Sequence, residues 1–391
     1  NMLKLKIMKK ILLIVFAAMV VISCGNGGGS PLTNVDNSGS DTGTGDGSST
    51  GDGSGTDNNS GGTLLDWLVP ANEVRDGGPG KDGIPSLDNP VFANVADIDP
   101  SFIKDDDLVI GIVKNGVVKA YPHFILNWHE IVNDKFGLES TTISFCPLTG
   151  TSFAWKSVAA GKVTSFGVSG LLYNNNLIMY DRDTDTYWSQ LRVQAIHGKL
   201  KGNKPELRDV VETNWKTWKT LYPNTQILTT DTGFSRSYNI YPYGDYLTNQ
   251  NFLLFPVSPL NNNLPNKERV YALMGEANSN NPAKSIVFRF SGFTGGKALK
   301  QTFEGEDYLI VGNENLINSF ELTPNQAALT YTFSFTDSEG FFTDSEGTEW
   351  NVFGKAISGP KMGNQLRITK SVVSYWFAIA AFYPDPIISE E

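Results

Sequence analysis

Cysteine and histidine are scarce in this sequence. Its 391 residues include two cysteines, Cys24 and Cys146, and three histidines, His123, His129 and His197. The sequence also lacks a phosphate-binding loop, a dinucleotide-binding fingerprint, a Cys-x-x-Cys pair and a Gly-x-Ser-x-Gly elbow. These absences argue against the common nucleotide-dependent, thioredoxin-like and serine-hydrolase chemistries.

Positive charge is also in short supply. The chain has 31 lysines and arginines against 41 aspartates and glutamates, a formal net charge of −10. Four of the lysines lie in the first ten residues, so a chain that loses this leader has a charge of −14, which is −10 less 4. Since an acidic surface repels phosphate backbones, we expect no nucleic-acid partner.

Long apolar runs are absent except for one near the N-terminus. Residues 11–22 follow a basic start; this run is too short for a bilayer span of roughly 20 residues but suits a signal sequence. Ser23-Cys24-Gly25 closes it. The pattern predicts a lipoprotein signal over residues 1–24, with Cys24 lipidated and the protein held outside the cytoplasm by a membrane anchor at the outer membrane or cell surface. The alternative is an ordinary secretory signal.

The leader is followed by a segment with almost nothing to bury. Residues 25–62 are nearly all Gly, Ser, Thr, Asp and Asn, which predicts a disordered linker. Residues 63–391 then form the globular body. Because lipidation uses Cys24, the body has no internal disulfide, and Cys146 is a lone thiol in a compartment that oxidises thiols.

The body shows similarity to itself at an offset of about 161 residues. Trp215 falls on Trp376, and Tyr222-Pro223 falls on Tyr383-Pro384. We therefore predict two copies of one module, over residues 88–223 and 268–384. Alternating apolar residues predict strands at 108–113, 117–121, 141–145, 163–168, 177–181 and 286–290, and helical spacing appears at 124–132, 215–222 and 374–382. The predicted fold class is α+β, strand-rich, with short helices.

The body contains several long, distinctive motifs. They are Asp82-Gly83-Ile84-Pro85, Asn127-Trp128-His129-Glu130-Ile131-Val132-Asn133-Asp134, Cys146-Pro147-Leu148-Thr149-Gly150-Thr151, Gly167-Val168-Ser169-Gly170-Leu171-Leu172-Tyr173-Asn174, Tyr180-Asp181-Arg182, Trp376-Phe377-Ala378 and Ala381-Phe382-Tyr383-Pro384. These motifs resemble those of a known bacterial family, the one catalogued as domain of unknown function 3179, and the resemblance covers nearly everything after the linker. The family's name assigns no mechanism, so no catalytic residue follows from it.

Chemistry-bearing residues concentrate in the first copy. His123 and His129 lie six residues apart and within some twenty residues of Cys146. At the fixed offset these three positions hold Lys284, Phe290 and Asp307, so none of the three recurs in the second copy. Residues confined to one copy are candidates for function, although sequence drift has the same effect.

Two chemistries fit a His/His/Cys group. A thiolate with two imidazoles suits copper, or zinc with a fourth ligand, so His123, His129 and Cys146 are predicted metal ligands with Glu130 behind them. Alternatively, Cys146 is a nucleophile activated by a histidine, in a cysteine-dependent enzyme. A third class is a binding module for a glycan, a peptide or an envelope partner, and in that case the buried cysteine and histidines are structural. Sequence spacing does not decide between them.

Overall fold

The computed structural model describes residues 66–276, 283–335 and 338–390, which form one compact unit. The predicted signal peptide, Cys24 and the linker lie outside the described residues. In the described ranges, strands far outnumber short helices, and the predicted strand-rich α+β class is confirmed. None of the helices in these ranges has the length and apolar character needed to cross a bilayer.

The chain divides into two stretches of regular structure that are separated by residues 229–268, which we call the joining segment. The N-terminal stretch contains β1 (Val74–Asp76), β2 (Phe92–Asn94), β3 (Leu108–Lys114), β4 (Val117–Pro122), α1 (His123–His129), β5 (Ile131–Phe136), β6 (Glu139–Cys146), β7 (Thr151–Lys156), β8 (Val158–Ala159), β9 (Lys162–Val163), β10 (Phe166–Tyr173), β11 (Asn176–Asp181), β12 (Tyr187–Ser189), β13 (Gln194–His197), β14 (Leu207–Arg208), β15 (Val211–Asn214), α2 (Trp215–Leu221) and β16 (Gln226–Leu228).

The C-terminal stretch follows the joining segment. It contains β17 (Arg269–Met274), β18 (Ser285–Arg289), β19 (Lys297–Phe303), β20 (Glu306–Asn313), β21 (Leu316–Leu322), α3 (Pro324–Ala327), β22 (Tyr331–Phe333), β23 (Gly340–Asp344), β24 (Glu349–Asn351), β25 (Ala356–Ser358), β26 (Arg367–Ile368), β27 (Ser371–Tyr375), α4 (Trp376–Phe382) and β28 (Ile387–Ile388). We call these two stretches the N-terminal half and the C-terminal half.

Local sequence explains several of these elements. Asn115 and Gly116 both have positive φ, 52° and 77°, which is the geometry that a two-residue hairpin between β3 and β4 requires. Helix α2 begins after Asn214, whose side chain accepts a hydrogen bond of 2.8 Å from the backbone N–H of Thr217. The predicted hairpin and the helix beginning near Trp215 are both present.

The same order of strand pairing occurs in both halves. Strands run β15-β3-β4-β16 in the first half and β27-β17-β18-β28 in the second, with the last strand parallel to its neighbour in each. The orders β14-β7-β6-β5 and β26-β21-β20-β19 also match, as do β10-β11-β12-β13 and β22-β23-β24-β25. Trp188 and Trp350 each donate an indole hydrogen bond to an aspartate, Asp181 or Asp344, that ends the preceding strand.

Strand register changes which residues of the two halves correspond. Val109 pairs with Pro122, and Val270 pairs with Arg289, so the offset is 161 residues before each hairpin and 167 after it. The longer connection between β17 and β18 causes this shift. Cys146 therefore corresponds to Asn313 rather than to Asp307, and His123 corresponds to Phe290 rather than to Lys284.

The two halves contribute to each other's cores. Helix α2 buries Trp218 and Leu221 in a cluster with residues of the C-terminal half, and Trp218 packs edge-on against Phe353 at 6.3 Å between ring centroids. Helix α4 buries Trp376 in a cluster with Cys146 and other residues of the N-terminal half. Strand β15 lies near β21, and β27 lies near β7. The packing is therefore reciprocal.

Candidate functional site

His129 ends helix α1, and both of its ring nitrogens have protein partners. Nδ1 lies 2.9 Å from the backbone oxygen of Pro85, and Nε2 lies 2.7 Å from the hydroxyl of Tyr238. The side chain is fully buried, and burial lowers its pKa to about 4. A neutral imidazole has one donor and one acceptor, and here both are used. This geometry gives His129 a structural role.

His123 begins the same helix but faces a different environment. Its ring packs on Phe145, with 4.1 Å between centroids. Its Nε2 lies 3.7 Å from Oε2 of Glu212, too far for a hydrogen bond, and has no hydrogen-bond partner in the part of the chain that the structure describes. Burial lowers its pKa to about 4, so the ring is neutral at pH 7. Glu212 is held by Arg269 at 2.8 Å, so the ionisable groups acting on His123 are these two.

Cys146 is the last residue of β6 and lies in the core. Only 1% of it is exposed, and its Sγ donates to the backbone oxygen of Asn175 at 3.5 Å. Burial, and next the negative charge of Glu130, raise the pKa of the thiol to about 11. The thiol is therefore protonated at neutral pH, and Glu130 is the charged group that contributes to raising its pKa.

Glu130 follows helix α1 in an unusual backbone conformation. Its φ of 56° and ψ of −32° lie in a region that residues with side chains rarely adopt. The side chain is buried, and Oε1 accepts a long hydrogen bond, 3.3 Å, from the hydroxyl of Tyr243. Burial raises the pKa of the carboxyl to about 8. Backbone strain combined with a strongly perturbed carboxyl is typical of functional sites.

Four tyrosines surround these two groups. Burial raises the pKa of each, and electrostatic interaction with Cys146 contributes in every case. Three of them, Tyr241, Tyr243 and Tyr246, belong to the joining segment, and Tyr375 immediately precedes helix α4. The thiol–carboxyl site, as we call it, consists of Glu130, Cys146, Tyr241, Tyr243, Tyr246 and Tyr375.

The hydroxyl groups of these tyrosines differ in their partners. Tyr246 donates to the backbone oxygen of Leu148 at 2.8 Å, and Tyr243 donates to Glu130. The hydroxyl of Tyr241 is buried and has no hydrogen-bond partner among the described residues. A buried hydroxyl without a partner costs about 1–3 kcal/mol, so this atom needs an explanation.

The joining segment covers Cys146 without forming a helix or a strand. It is fastened in its interior, at Phe255 and Ser258, by the turn between β10 and β11. There, Asn175 exchanges two 2.9 Å hydrogen bonds with the backbone of Phe255, and Asn174 does the same with Ser258. The turn that accepts the Cys146 thiol bond thus also holds the segment in place.

A buried lysine fastens the other part of the segment. The ammonium of Lys267 donates to the backbone oxygens of Tyr246, Asn249 and Phe252, and it lies 3.5 Å from the ring centroid of Tyr246. Burial lowers the pKa of Lys267 to about 8. This contact closes the loop that presents Tyr246 to the thiol–carboxyl site.

The four-residue turn after Cys146 contacts the C-terminal half. The backbone N–H of Tyr375 donates to the oxygen of Thr149 at 2.8 Å. Gly150 has φ of 59°, and a Cβ there would lie 2.9 Å from the ring of Tyr375. Glycine at this position therefore permits both the turn and the close approach of the tyrosine.

The structure gives no support to a metal site on His123, His129 and Cys146. No group of three His, Cys, Asp or Glu side chains in residues 66–276, 283–335 and 338–390 has the arrangement to hold a metal ion. Both nitrogens of His129 are occupied, and His123 faces Glu212. The side chain that the structure brings to Cys146 is Glu130, which we expected only as a residue behind the ligands.

Sequence reasoning missed the tyrosines. The run Tyr241-Pro242-Tyr243-Gly244-Asp245-Tyr246 carries three of them in six residues, and this density was the available signal. It lies between the predicted copies and has no helix or strand periodicity, so no pattern connected it with Cys146.

The fold and site together define a strand-rich α+β protein with a largely buried cluster of one thiol, one carboxyl and four tyrosines. A family model described as "protein of unknown function (DUF3179)" matches residues 81–386. The chain belongs to this family, as the motifs around Cys146 and His129 suggested. No curated protein and no solved structure matches it.

Proposed function

We propose that this chain is a membrane-anchored lipoprotein with a duplicated body and a cysteine-dependent enzymatic site on Cys146. The anchor is supported by the basic start, the short apolar run and Ser23-Cys24-Gly25. The duplication is supported by the matching strand orders of the two halves. The anchor places the body outside the cytoplasm.

One observation carries the enzymatic proposal. Cys146 shares a buried site with a carboxyl whose pKa is about 8, instead of lying in a purely apolar core. A group with a pKa near the working pH is the most effective general base, and a nucleophile needs such a base close by. Glu130 takes the place in which we expected a histidine, because both ring nitrogens of His129 have protein partners and His123 faces Glu212.

The enzymatic proposal is tested with p-nitrophenyl acetate, a small activated ester, on the purified full chain. We expect release of p-nitrophenol and an acetyl group on Cys146, detected by mass spectrometry. Cys146→Ser and Cys146→Ala should abolish both signals, with thermal melting used to show that the variants fold. An acetyl group that appears only on lysines, at equal rates in all three proteins, would rule the proposal out.

The anchor is tested separately by growing an expressing bacterium with labelled palmitate. The wild-type chain should carry the label and sediment with membranes, because a lipidated cysteine holds the chain to the bilayer through several acyl chains. Cys24→Ser should remove the label, whereas Cys146→Ser should keep it. Unlabelled wild-type protein would leave the ordinary secretory signal as the better interpretation.

A further inference from the structure

Tyr241 packs beside the other groups of the thiol–carboxyl site. Its ring centroid lies 5.5 Å from that of Tyr243, whose hydroxyl donates to Glu130. Burial raises the pKa of the Tyr241 hydroxyl, and interactions with Tyr375, Cys146 and Glu130 add to the rise. The hydroxyl is buried and bonds to no described residue. A buried donor is normally satisfied, and one without a partner in a cluster of ionisable groups indicates that a ligand atom completes it.

The charges around the site limit what that ligand is. The nearby cations are already engaged, because Arg269 pairs with Glu212 and Lys267 is surrounded by three backbone oxygens. The tyrosines are neutral, and the thiol is neutral at pH 7. An ionic substrate would lose its hydration here and gain no counter-charge, which is costly in a buried site. The site therefore favours an uncharged molecule with a hydrogen-bond acceptor.

We propose that Tyr241 is a catalytic hydrogen-bond donor to the carbonyl oxygen of a small uncharged acyl substrate, such as an ester or thioester, whose carbonyl carbon is attacked by Cys146 with Glu130 as proton acceptor. The inference rests on the cysteine-dependent function proposed above and specifies its substrate class.

The reaction balances with water as the second reactant. The Glu130 carboxylate takes the thiol proton while sulfur bonds to the carbonyl carbon, and negative charge develops on the carbonyl oxygen beside Tyr241. Collapse of this intermediate breaks the bond to the leaving alkoxide or thiolate, which takes the proton from Glu130. Water then hydrolyses the thioester, releasing the carboxylic acid and restoring the Cys146 thiol.

Access to the site requires movement of the joining segment, because Cys146 is almost completely covered. The segment is held to the body by hydrogen bonds of single side chains, among them those of Asn174, Asn175 and Tyr246, and no strand pairing crosses it. It can therefore open without disrupting a sheet, as loops over active sites commonly do. Tyr241 and Tyr243 move with it, so closure completes the site around a bound substrate.

The experiment compares the kinetics of p-nitrophenyl acetate cleavage by the full-length wild type, Tyr241→Phe, Glu130→Gln and the control Tyr308→Phe. Tyr308 lies on β20, outside the thiol–carboxyl site. We expect Tyr241→Phe to lower kcat about 10²–10³-fold and to keep the pH profile, since it removes one donor to the developing oxyanion. Glu130→Gln should remove the rise in kcat/KM that the wild type shows as pH approaches about 8.

Thermal melting separates these effects from misfolding. Tyr241→Phe removes only a hydroxyl that has no partner among residues 66–276, 283–335 and 338–390, so the melting temperature of this variant should not fall. Wild-type kinetics in a folded Tyr241→Phe would overturn the role of Tyr241 while the cysteine-dependent function stands. Absence of Cys146 acetylation in the wild type would overturn both.

Discussion

The turn after β6 in the N-terminal half and the turn after β20 in the C-terminal half occupy corresponding places in the strand order. The first adjoins the thiol–carboxyl site, whereas the second adjoins no comparable cluster among the described residues. In the first, Cys146 leads into a four-residue turn that meets Tyr375 through Thr149. In the second, Asn313 leads into a two-residue turn. There, Asn315 accepts a 3.0 Å hydrogen bond from Asn214, the residue that corresponds to Tyr375. The same junction is thus closed by an amide pair.

The contrast extends to the neighbouring positions. Glu130 corresponds by strand register to Lys297, which is only partly buried. Asn214 caps helix α2 through its side chain, whereas Tyr375 makes no side-chain cap at the start of α4. Helix α4 therefore lacks the side-chain cap that α2 has, and the residue at its cap position, Tyr375, contributes to the thiol–carboxyl site instead. Groups shared by both halves support the fold, and groups confined to one junction are candidates for chemistry.

A second contrast concerns how each helix meets its sheet. Gly111 on β3 lies beneath Trp218, and a Cβ at this glycine would be 2.2 Å from the indole ring. The corresponding residues in the C-terminal half are Ala272 and Ile379, which are buried in one cluster. In the first pair the smallest residue, Gly111, faces the large Trp218. In the second pair the larger Ala272 goes with the smaller Ile379, so the two pairs fill a similar volume. This exchange is what two diverged copies of one module would show.

The largest expected effect comes from exchanging these pairs. Gly111→Ala alone forces a clash and should cost about 1–3 kcal/mol or more in unfolding free energy. Trp218→Ile alone leaves a cavity and loses the indole bond to Thr225, so its cost should approach the ~3–5 kcal/mol of Trp→Ala changes. The double variant should recover part of the loss, because it reproduces the pair of the C-terminal half.

A double-mutant cycle on the unfolding free energies from urea titration measures this recovery. We expect a favourable coupling of about 1–3 kcal/mol. Costs that simply add would contradict the proposed equivalence of the two positions. Because helix α2 packs into a core shared with the C-terminal half, each single variant should also unfold in one transition for the whole body. Two separated transitions would show that the halves are energetically independent.

The sequence predicted the local parts of this fold better than its connections. The Asn115-Gly116 hairpin and the helix beginning at Trp215 depend on neighbouring residues, and both are present. The predicted strand over residues 163–168 is wrong in extent: β9 ends at Val163 and β10 begins at Phe166. The reciprocal packing of α2 and α4 depends on contacts far apart in sequence, and no periodicity reveals those.

The site was predicted in part for the same reason. Cys146 was identified because it is the lone cysteine of the body, and Glu130 because it is next to His129 in sequence. His129 was assigned to a metal, but burial and two hydrogen bonds, to Pro85 and Tyr238, occupy its ring. The pKa of Glu130 results from burial beneath the joining segment, and no sequence pattern gives that burial.

The smaller expected effect sharpens the contrast between Glu130 and Lys297. Burial holds the pKa of Glu130 at about 8 in the folded protein, against 4.5 in the unfolded chain. The folded state therefore holds more protons between these values, and stability falls as pH rises from about 4.5 to 8. His123 and His129 have lowered pKa values and act in the opposite direction, but only below about pH 6.5.

The informative window is therefore pH 6.5 to 8. Across it, the wild type should lose on the order of 1–2 kcal/mol relative to Glu130→Gln, since one pKa unit corresponds to about 1.4 kcal/mol. Asp209, whose pKa is raised to about 7, also lowers the stability as pH rises. Because both proteins contain Asp209, the difference between their urea-unfolding free energies isolates the contribution of Glu130. The control Lys297→Gln should leave the slope unchanged, because the corresponding position in the C-terminal half has no buried carboxyl. Parallel curves of stability against pH for the wild type and Glu130→Gln would mean that Glu130 is ionised at neutral pH. Cys146 would then lie beside a full negative charge and would lack a base that titrates near pH 8.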